Sequence, residues 1–492
     1  MNNTKSYRPI MFVGTGSDVG KSVINAGFCR IFKQDGLHPA PFKAQNMSLN
    51  SFPTPDGLEI GRAQAVQAEA CEIPCSVEMN PILLKPTGTM ESQIVLNGKP
   101  WANKSAKAYF NETDRGFLFS EAMNAFSRLE ERFNPIVIEG AGSISEVNLW
   151  KKDITNMRVA VEKDAVTYLI ADIDRGGVFG SVYGTLLLLP EQERQQIKGI
   201  IINKFRGDIS LFNDGVKKLE ELCGIPVVGV IPYFRDIYID DEDSVVVDKK
   251  RFEAVKGKTN IAVVLLPHMS NFTDFNSLEQ VPSVNLFYAT SPEDIEEADI
   301  VILPGSKNTI SDLLFLQKQG MAQAVKNAHQ RGTAVYGICG GFQMMGKWLR
   351  DPNKVEGTIG EVPGLGILPV ETVLTPEKVT KQCSFVFRES AWQGTGYEIH
   401  MGKTTAENER PFCRINNEKF DGYFLNAKTW GTYVHGVFDH MEMINEILKT
   451  AGNKACSKVD FQQFKQRQYD KLATLIRKNT DMEYIYKSMS RG

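Results

Sequence analysis

Val13-Gly14-Thr15-Gly16-Ser17-Asp18-Val19-Gly20-Lys21-Ser22 stands near the start of the chain, between two apolar runs. Pro9-Ile10-Met11-Phe12-Val13, before it, reads as a buried strand. Val23-Ile24-Asn25-Ala26-Gly27-Phe28-Cys29-Arg30-Ile31-Phe32, after it, carries apolar residues at helical spacing. Strand, Gly-rich turn, Gly-Lys-Ser and helix are the context a phosphate-binding loop needs. The glycines let the backbone curl so that successive N–H groups point at phosphate oxygens, and the helix N-terminus adds the positive end of its dipole. Lys21 is placed to reach the outer phosphates of ATP, and the Ser22 hydroxyl to hold Mg²⁺. The usual spacing puts a glycine five residues before the Gly-Lys pair. That position is Thr15 here, and Gly14 lies one further back, so the loop is one residue longer.

A length of 492 residues exceeds what one core usually supports, so two to three domains are expected. A formal net charge of -3 gives no electrostatic case for nucleic acid or an anionic membrane as partner. No apolar run approaches the length of a membrane span. No apolar segment follows Met1-Asn2-Asn3-Thr4-Lys5, so a secretory signal is not expected. Of the 8 cysteines only Cys71 and Cys75 are close in sequence, with no second pair at zinc spacing. Reduced thiols in the cytoplasm are the reading this supports.

Past the first helix, His38 to Lys43 reads as a second strand. It runs into a polar loop, Ala44-Gln45-Asn46-Met47-Ser48-Leu49-Asn50-Ser51, whose amides and hydroxyls suit recognition of a polar ligand. Gly61 to Cys71 is helical in propensity, Met79 to Pro86 irregular and Pro-bounded, and Lys104 to Phe133 one or two helices. Pro135-Ile136-Val137-Ile138-Glu139-Gly140-Ala141-Gly142-Ser143 is a short strand ending in a carboxylate and a Gly-rich turn. Ligands of open α/β sheets sit at the carboxyl ends of strands, so Glu139 is placed to hold Mg²⁺ beside the phosphates. Strands followed by polar turns recur at Thr167–Ile173, Lys198–Asn203 and Pro226–Pro232. Strands separated by helical segments argue for a doubly wound, mostly parallel sheet.

The pattern breaks between Tyr233 and Lys258, where Asp240-Asp241-Glu242-Asp243 is a charge run. Residues 1–233 are expected to form one domain, 234–258 a linker and 259–450 a second domain. Residues 451–492 are expected to be a helical tail serving packing or a lid. The second domain opens a new α/β series at Ile261–Leu266, Val284–Tyr288 and Asp299–Ser306, with a helix expected over Thr309–Gln330. Its centre is Thr333-Ala334-Val335-Tyr336-Gly337-Ile338-Cys339-Gly340-Gly341-Phe342. A strand runs straight into a thiol bracketed by small residues and then into a helix, the logic of a nucleophile elbow. The helix N-terminus favours the thiolate. Backbone N–H groups near Gly340 and in the Gly305-Ser306 turn are placed to form an oxyanion hole. A cysteine nucleophile wants a histidine base, and spacing alone leaves His435 and His400 as rivals.

The lengthened loop resembles that of dethiobiotin synthetase-like ligases. Together with Gly337-Ile338-Cys339-Gly340-Gly341 and the distal Tyr433-Val434-His435-Gly436, it makes the chain similar to the cobyric acid synthase family, over nearly its whole length. Phe42-Lys43-Ala44-Gln45-Asn46-Met47-Ser48, Asn80–Pro86, Asp172–Gly177 and Asn203-Lys204-Phe205-Arg206-Gly207-Asp208 look like that family's own. The resemblance implies two α/β domains: a P-loop ligase domain using ATP and Mg²⁺, and a class I glutamine amidotransferase domain. It implies Cys339 as the glutaminase nucleophile and His435 as its base. Position 437, where many such glutaminases carry a carboxylate, is Val437, so a Cys-His dyad is implied, with Glu398 the candidate to orient His435. By the same analogy Lys21 and Lys43 contact phosphates or the substrate carboxylate, Ser22 and Glu139 hold Mg²⁺, and Asn203 binds adenine. Gln45, Asn46, Ser48 and Arg175 are candidates to grip the carboxylate rim of a corrinoid.

The implied substrates are glutamine and a corrinoid polycarboxylate, amidated at four carboxylates through acyl phosphates. The nearest rival is the cobyrinic acid a,c-diamide synthase family, against which Lys43-Ala44-Gln45-Asn46 speaks. A rival of another class is a P-loop switch ATPase carrying an inactive glutaminase-like binding domain, against which intact Cys339 and His435 speak.

Overall fold

The computed structural model describes residues 6–86, 91–105, 107–109, 113–240, 254–388, 392–453 and 460–491. The first domain is built on β1 (Ile10–Gly14), β2 (Ala40–Phe42), β9 (Ile136–Glu139), β10 (Val166–Asp172), β11 (Ile197–Phe205) and β12 (Val227–Pro232). The remaining strands of this half are β3 (Gln45–Met47), β4 (Ser51–Pro53), β5 (Glu59–Gly61), β6 (Ile82–Pro86), β7 (Glu91–Leu96) and β8 (Lys99–Ser105). The main sheet runs β12-β11-β10-β1-β9-β2 with parallel pairings throughout. Side chains alternate between faces, so Met11 and Val13 pack into one core and Ile10 and Phe12 into another. Both faces are covered, which is why the strands read as unbroken apolar runs.

Several polar segments expected to be loop are strand. Within 44–51, Gln45–Met47 is β3, pairing parallel with β6, and Ser51 opens β4. The stretch from Met79 to Pro86, expected to be irregular, contains β6, which continues antiparallel into β7 and β8. Asn, Gln and Pro carry little strand preference, and here pairing partners decide the structure. The region from Lys104 to Phe133 holds the end of β8, helical residues at 107–109 and the helix Arg115–Glu130, capped by Asp114, which accepts from Phe117 N at 3.0 Å. Residues 106 and 110–112 of that region, and 241–243 of the acidic run, lie outside the described residues.

The second domain carries β13 (Thr259–Val264), β14 (Val284–Ala289), β15 (Ile300–Leu303) and β16 (Ala334–Ile338). It continues with β17 (Trp348–Arg350), β18 (Glu361–Pro363), β19 (Val370–Phe387), β20 (Gln393–Ala406), β21 (Cys413–Ile415), β22 (Lys419–Asp421), β23 (Tyr423–Asn426), β24 (Thr429–Thr432) and β25 (Val434–His435). Its main sheet is β14-β13-β15-β16-β24-β23, parallel except at the β23 edge. The long β19–β20 hairpin leads a second, mainly antiparallel sheet that carries β25. The helix expected over 309–330 is two, Thr309–Lys318 and Met321–Gln330, separated at Gly320.

The C-terminal helices, Phe461–Lys478 and Met482–Met489, return to the first domain. Leu472, Ile476, Ile485 and Met489 share a core with Ile24, Phe28 and Phe32 of α1 (Lys21–Gln34). The approach is close: a Cβ on Gly27 would stand 2.2 Å from Ile476 Cδ1. Arg30 donates to Asp470 at 2.7 Å across the same contact. The tail therefore packs on the first domain. Between the domains, the β4–β5 hairpin docks on β19 and β20. Phe52 packs edge-on against Tyr397, and Gln382 donates to Pro53 O at 2.9 Å. No helix among the described residues is long and apolar enough to cross a membrane.

Candidate active site

Cys339 follows β16 with φ 50° and ψ −107°, a conformation that aims its side chain out of the sheet at the start of the helix Gly340–Met345. The glycines are required by contact. A Cβ on Gly341 would lie 1.9 Å from Leu303 O, and one on Gly340 would lie 2.7 Å from Ser306 N. That approach sets the Ser306 N–H beside the elbow with the Gly340 N–H, the pair of donors an oxyanion hole needs. The Gly305-Ser306 turn is held by Gly305 O, which accepts from Ser270 N at 3.0 Å. Ser306 Oγ donates to Asp312 Oδ2 at 2.6 Å.

His435 is fully buried beside Cys339, whose Sγ donates to Ile399 O at 3.5 Å. Its Nδ1 lies 2.6 Å from Asp274 Oδ2, and the Gly436 N–H donates to Asp274 Oδ1 at 3.1 Å. The ring stacks on Tyr397 with centroids 5.0 Å apart. Burial alone would lower the imidazole pKa; the Asp274 carboxylate, its hydrogen bond and the Cys339 contact outweigh that and push it up to about 10. The Asp274 carboxylate thus holds the imidazole in its protonated form.

The structure replaces the expected dyad with a Cys339–His435–Asp274 line, and Glu398 does not orient His435. Tyr397 pairs in register with His435, and successive strand residues face opposite ways, so Glu398 is turned elsewhere. It meets Lys381 at 3.0 Å, and Lys419 and His400 at 3.4 Å. His400 is spent on Glu398 and on Gly402 O at 2.9 Å, and it stacks on Tyr433. Asp274 escapes a sequence reading because it comes from the turn Phe272–Phe275, 161 residues before the histidine. Its one signal is an acid inside an apolar turn after the domain's first strand.

In the first domain, Lys21 Nζ lies inside the loop, donating to Gly16 O at 2.9 Å and Gly142 O at 2.8 Å. Gly20 takes φ +97°. Thr15 N donates to Ile170 O at 3.0 Å, and Thr15 O accepts from Ser143 Oγ at 2.9 Å. Ser22 Oγ donates to Glu139 Oε1 at 2.8 Å, Lys43 Nζ to the same oxygen at 2.7 Å, and Gln67 Nε2 to Glu139 Oε2 at 2.5 Å. One hydroxyl and one carboxylate at a phosphate loop are the hard oxygen donors Mg²⁺ takes when phosphates supply the rest. Among the described residues no group of three or more His, Cys, Asp or Glu side chains is placed to hold a metal.

Asn203 stands against this loop, its Nδ2 donating to Val19 O at 2.8 Å and bracing it. Asp18 O accepts from Lys204 Nζ at 2.5 Å. Arg175 is exposed and faces Asp18 at 3.4 Å and Asp172 at 3.8 Å, not the 45–48 segment. Gln45 lines a cavity of about 220 Å³ with Arg115, Gly142 and Ser143, and accepts from the Tyr109 hydroxyl at 2.5 Å. Asn46 and Ser48 do not line it. Strand alternation turns Asn46 inward to donate to Gln64 Oε1 at 3.1 Å, while buried Ser48 Oγ accepts from Asn50 N at 3.0 Å.

A P-loop sheet and a cysteine–histidine–aspartate sheet, joined in one chain, define a nucleotide-using, glutamine-hydrolysing ligase. Residues 10–245 match the CobQ/CobB/MinD/ParA nucleotide binding domain, and residues 260–443 the CobB/CobQ-like glutamine amidotransferase domain. The chain is 57% identical to the cobyric acid synthase of Parabacteroides distasonis, over 98% of this chain and 99% of that one. It is 54% identical to that of Bacteroides fragilis over 99% of each, and 45% identical to that of Caldanaerobacter subterraneus subsp. tengcongensis over 98% of each. The chain belongs to the cobyric acid synthase family.

Proposed function

We propose that this chain uses ATP and glutamine to amidate the b, d, e and g carboxylates of adenosylcobyrinic acid a,c-diamide, giving adenosylcobyric acid. The observation that carries this reading is the pairing, in one chain, of the Cys339–His435–Asp274 line with the Lys21, Ser22 and Glu139 cluster.

In the glutaminase half, Cys339 Sγ attacks the side-chain amide carbon of glutamine. The oxyanion forms against the N–H groups of Gly340 and Ser306. Imidazolium His435 gives its proton to the leaving nitrogen, ammonia departs, and a thioester remains. His435 then takes a proton from water, which attacks the thioester and frees glutamate. Asp274 holds the imidazole in the tautomer and orientation both steps need.

In the ligase half, a corrin carboxylate attacks the γ-phosphorus of ATP, ADP leaves, and the acyl phosphate formed loses phosphate to ammonia. Lys21 and the loop N–H groups neutralise charge on the transferring phosphoryl group. Ser22 and Glu139 would hold Mg²⁺, which supplies further positive charge there. Lys43, beside Glu139, is placed to steer the attacking carboxylate, and Gln45 with Arg115 to hold its surroundings. Asn203 keeps its amide oxygen for adenine. Residues 1–233 with the tail 451–492 act as the ligase unit, 234–258 as the connection and 259–450 as the glutaminase. A cytoplasmic setting is supported by the described cysteines, all of them free.

Mass spectrometry of adenosylcobyrinic acid a,c-diamide incubated with protein, ATP, Mg²⁺ and glutamine tests the reading. The expected result is a ladder of four successive carboxylate-to-amide changes. Unchanged substrate with glutamine still hydrolysed would overturn the acceptor assignment and point to cobyrinic acid itself.

A further inference from the structure

The cavity at Cys339, about 480 Å³, is lined by both domains. Lys307 follows the Ser306 donor directly and lines the cavity. Among the described residues it has no carboxylate within ion-pairing distance. Burial, with Lys378 and Lys85 nearby, pushes its amine down to about 8. Lys85 comes from β6 of the first domain and Lys378 from β19 of the second. Buried Glu59 of β5 holds both, accepting from Lys85 at 2.7 Å and from Lys378 at 2.5 Å. Ser51 Oγ takes a second Lys85 hydrogen bond at 2.7 Å. Three lysines against one carboxylate leave this wall with an excess of positive charge. Glu356 also lines the cavity, accepting from Ile310 N at 3.0 Å and Thr309 Oγ1 at 3.3 Å. Burial raises its carboxyl to about 7, so a cation settling beside it would restore its charge.

A ligand that places an amide at Cys339 and carries both an anion and a cation fits this arrangement. Resting on the glutaminase reading above, we propose that the α-carboxylate of glutamine is bound by Lys307, with Lys85 of the ligase domain and Lys378 completing the positive wall, and that Glu356 binds its α-ammonium. The glutamine site is therefore completed across the domain interface, and Lys85 determines specificity from outside the glutaminase fold. Among the described residues no carboxylate ion-pairs directly with Lys307, and the α-carboxylate supplies one at the mouth of the catalytic thiol.

The test is steady-state hydrolysis by the full-length protein of three amides: glutamine, 4-aminobutanamide, which lacks the α-carboxylate, and glutaramate, which lacks the α-amino group. The parent protein should prefer glutamine over either analogue by about a hundredfold or more in kcat/KM, since a site built for polar groups rejects ligands that leave them unpaired. Lys307→Met and Lys85→Met should cut the preference over 4-aminobutanamide at least about tenfold, mainly through KM for glutamine. Glu356→Gln should cut the preference over glutaramate by a similar factor. A parent protein that hydrolyses all three amides equally overturns the proposal without any variant having to fold. So do variants whose preference ratios stay within about twofold of the parent's. A parent that hydrolyses none of the three sinks the glutaminase reading itself, a different result.

Discussion

In the proposed mechanism the glutaminase chemistry turns on Asp274, which holds His435 Nδ1 at 2.6 Å. Its charge keeps His435 protonated through neutral pH, because a folded-state pKa near 10 lies well above the ordinary histidine value. The sign follows: this contact stabilises the fold fully below about pH 6.5 and loses that contribution as pH rises through 10. Asp274→Asn removes the charge and leaves burial, which favours the neutral ring. The alkaline limb of glutamine hydrolysis should then shift to lower pH, and kcat should fall about a thousandfold or more, as stopped glutamate-release assays across pH would report. Cys339→Ala should abolish glutamine-supported amidation and retain amidation with added ammonium salt, since free ammonia bypasses the thiol. Loss of both would refute the two-site mechanism. Glu139→Gln should act in the opposite sense, losing amidation while glutamate release persists, because it touches only the Ser22 and Lys43 end of the molecule.

Among the elements, the tail helix Phe461–Lys478 carries the clearest consequence. Its sequence reads as helical and charged, which leaves open what it packs against. The partner is α1, the helix that presents Lys21 and Ser22 at its start. Leu472 is fully buried there, within 3.2 Å of the place a Cβ on Gly27 would take. Leu472→Ala should lower stability by about 2–5 kcal/mol. Urea titration with nucleotide binding as the probe should show the ligase domain failing first. The 44–51 segment gives the converse lesson. Its amides and hydroxyls look like a ligand-facing loop, yet they are arranged by β3 and β4, and of the three candidates Gln45 alone lines the cavity beside Arg115.

On the scale of the whole molecule, the chain leaves the ligase domain after β12, builds the glutaminase, and comes back in its last helices. The two units are tied by the β4–β5 hairpin and by Lys378 on Glu59. Asn50 Oδ1 accepts from Phe272 N at 3.3 Å, two residues from Asp274. The segment that begins beside Glu139 with Lys43 thus ends against the turn that orients His435. A route that keeps ammonia from bulk water, where it would be protonated, is the expected use of this closeness. An ammonia-consuming dehydrogenase added to the assay should leave glutamine-supported amidation within about twofold of the untreated rate and abolish amidation supported by low ammonium. Equal loss of both would show that the nitrogen passes through solvent.

The sequence by itself determined the two parallel sheets, the phosphate loop, the Cys339 elbow and the Glu139 strand end. These signals are local: a run of apolar residues, a glycine where the backbone must come close, a charged side chain at a strand terminus. Tertiary structure decided everything that depends on residues far apart in the chain. It chose Asp274 over Glu398, because strand register turns Tyr397 and not Glu398 toward His435. It turned Asn46 and Ser48 inward, set the last helices against α1, and brought Lys85 across to the glutamine cavity. The physical reason is the same in each case. Which side chains meet is fixed by register and by packing between elements, and neither is written in the spacing of a single segment.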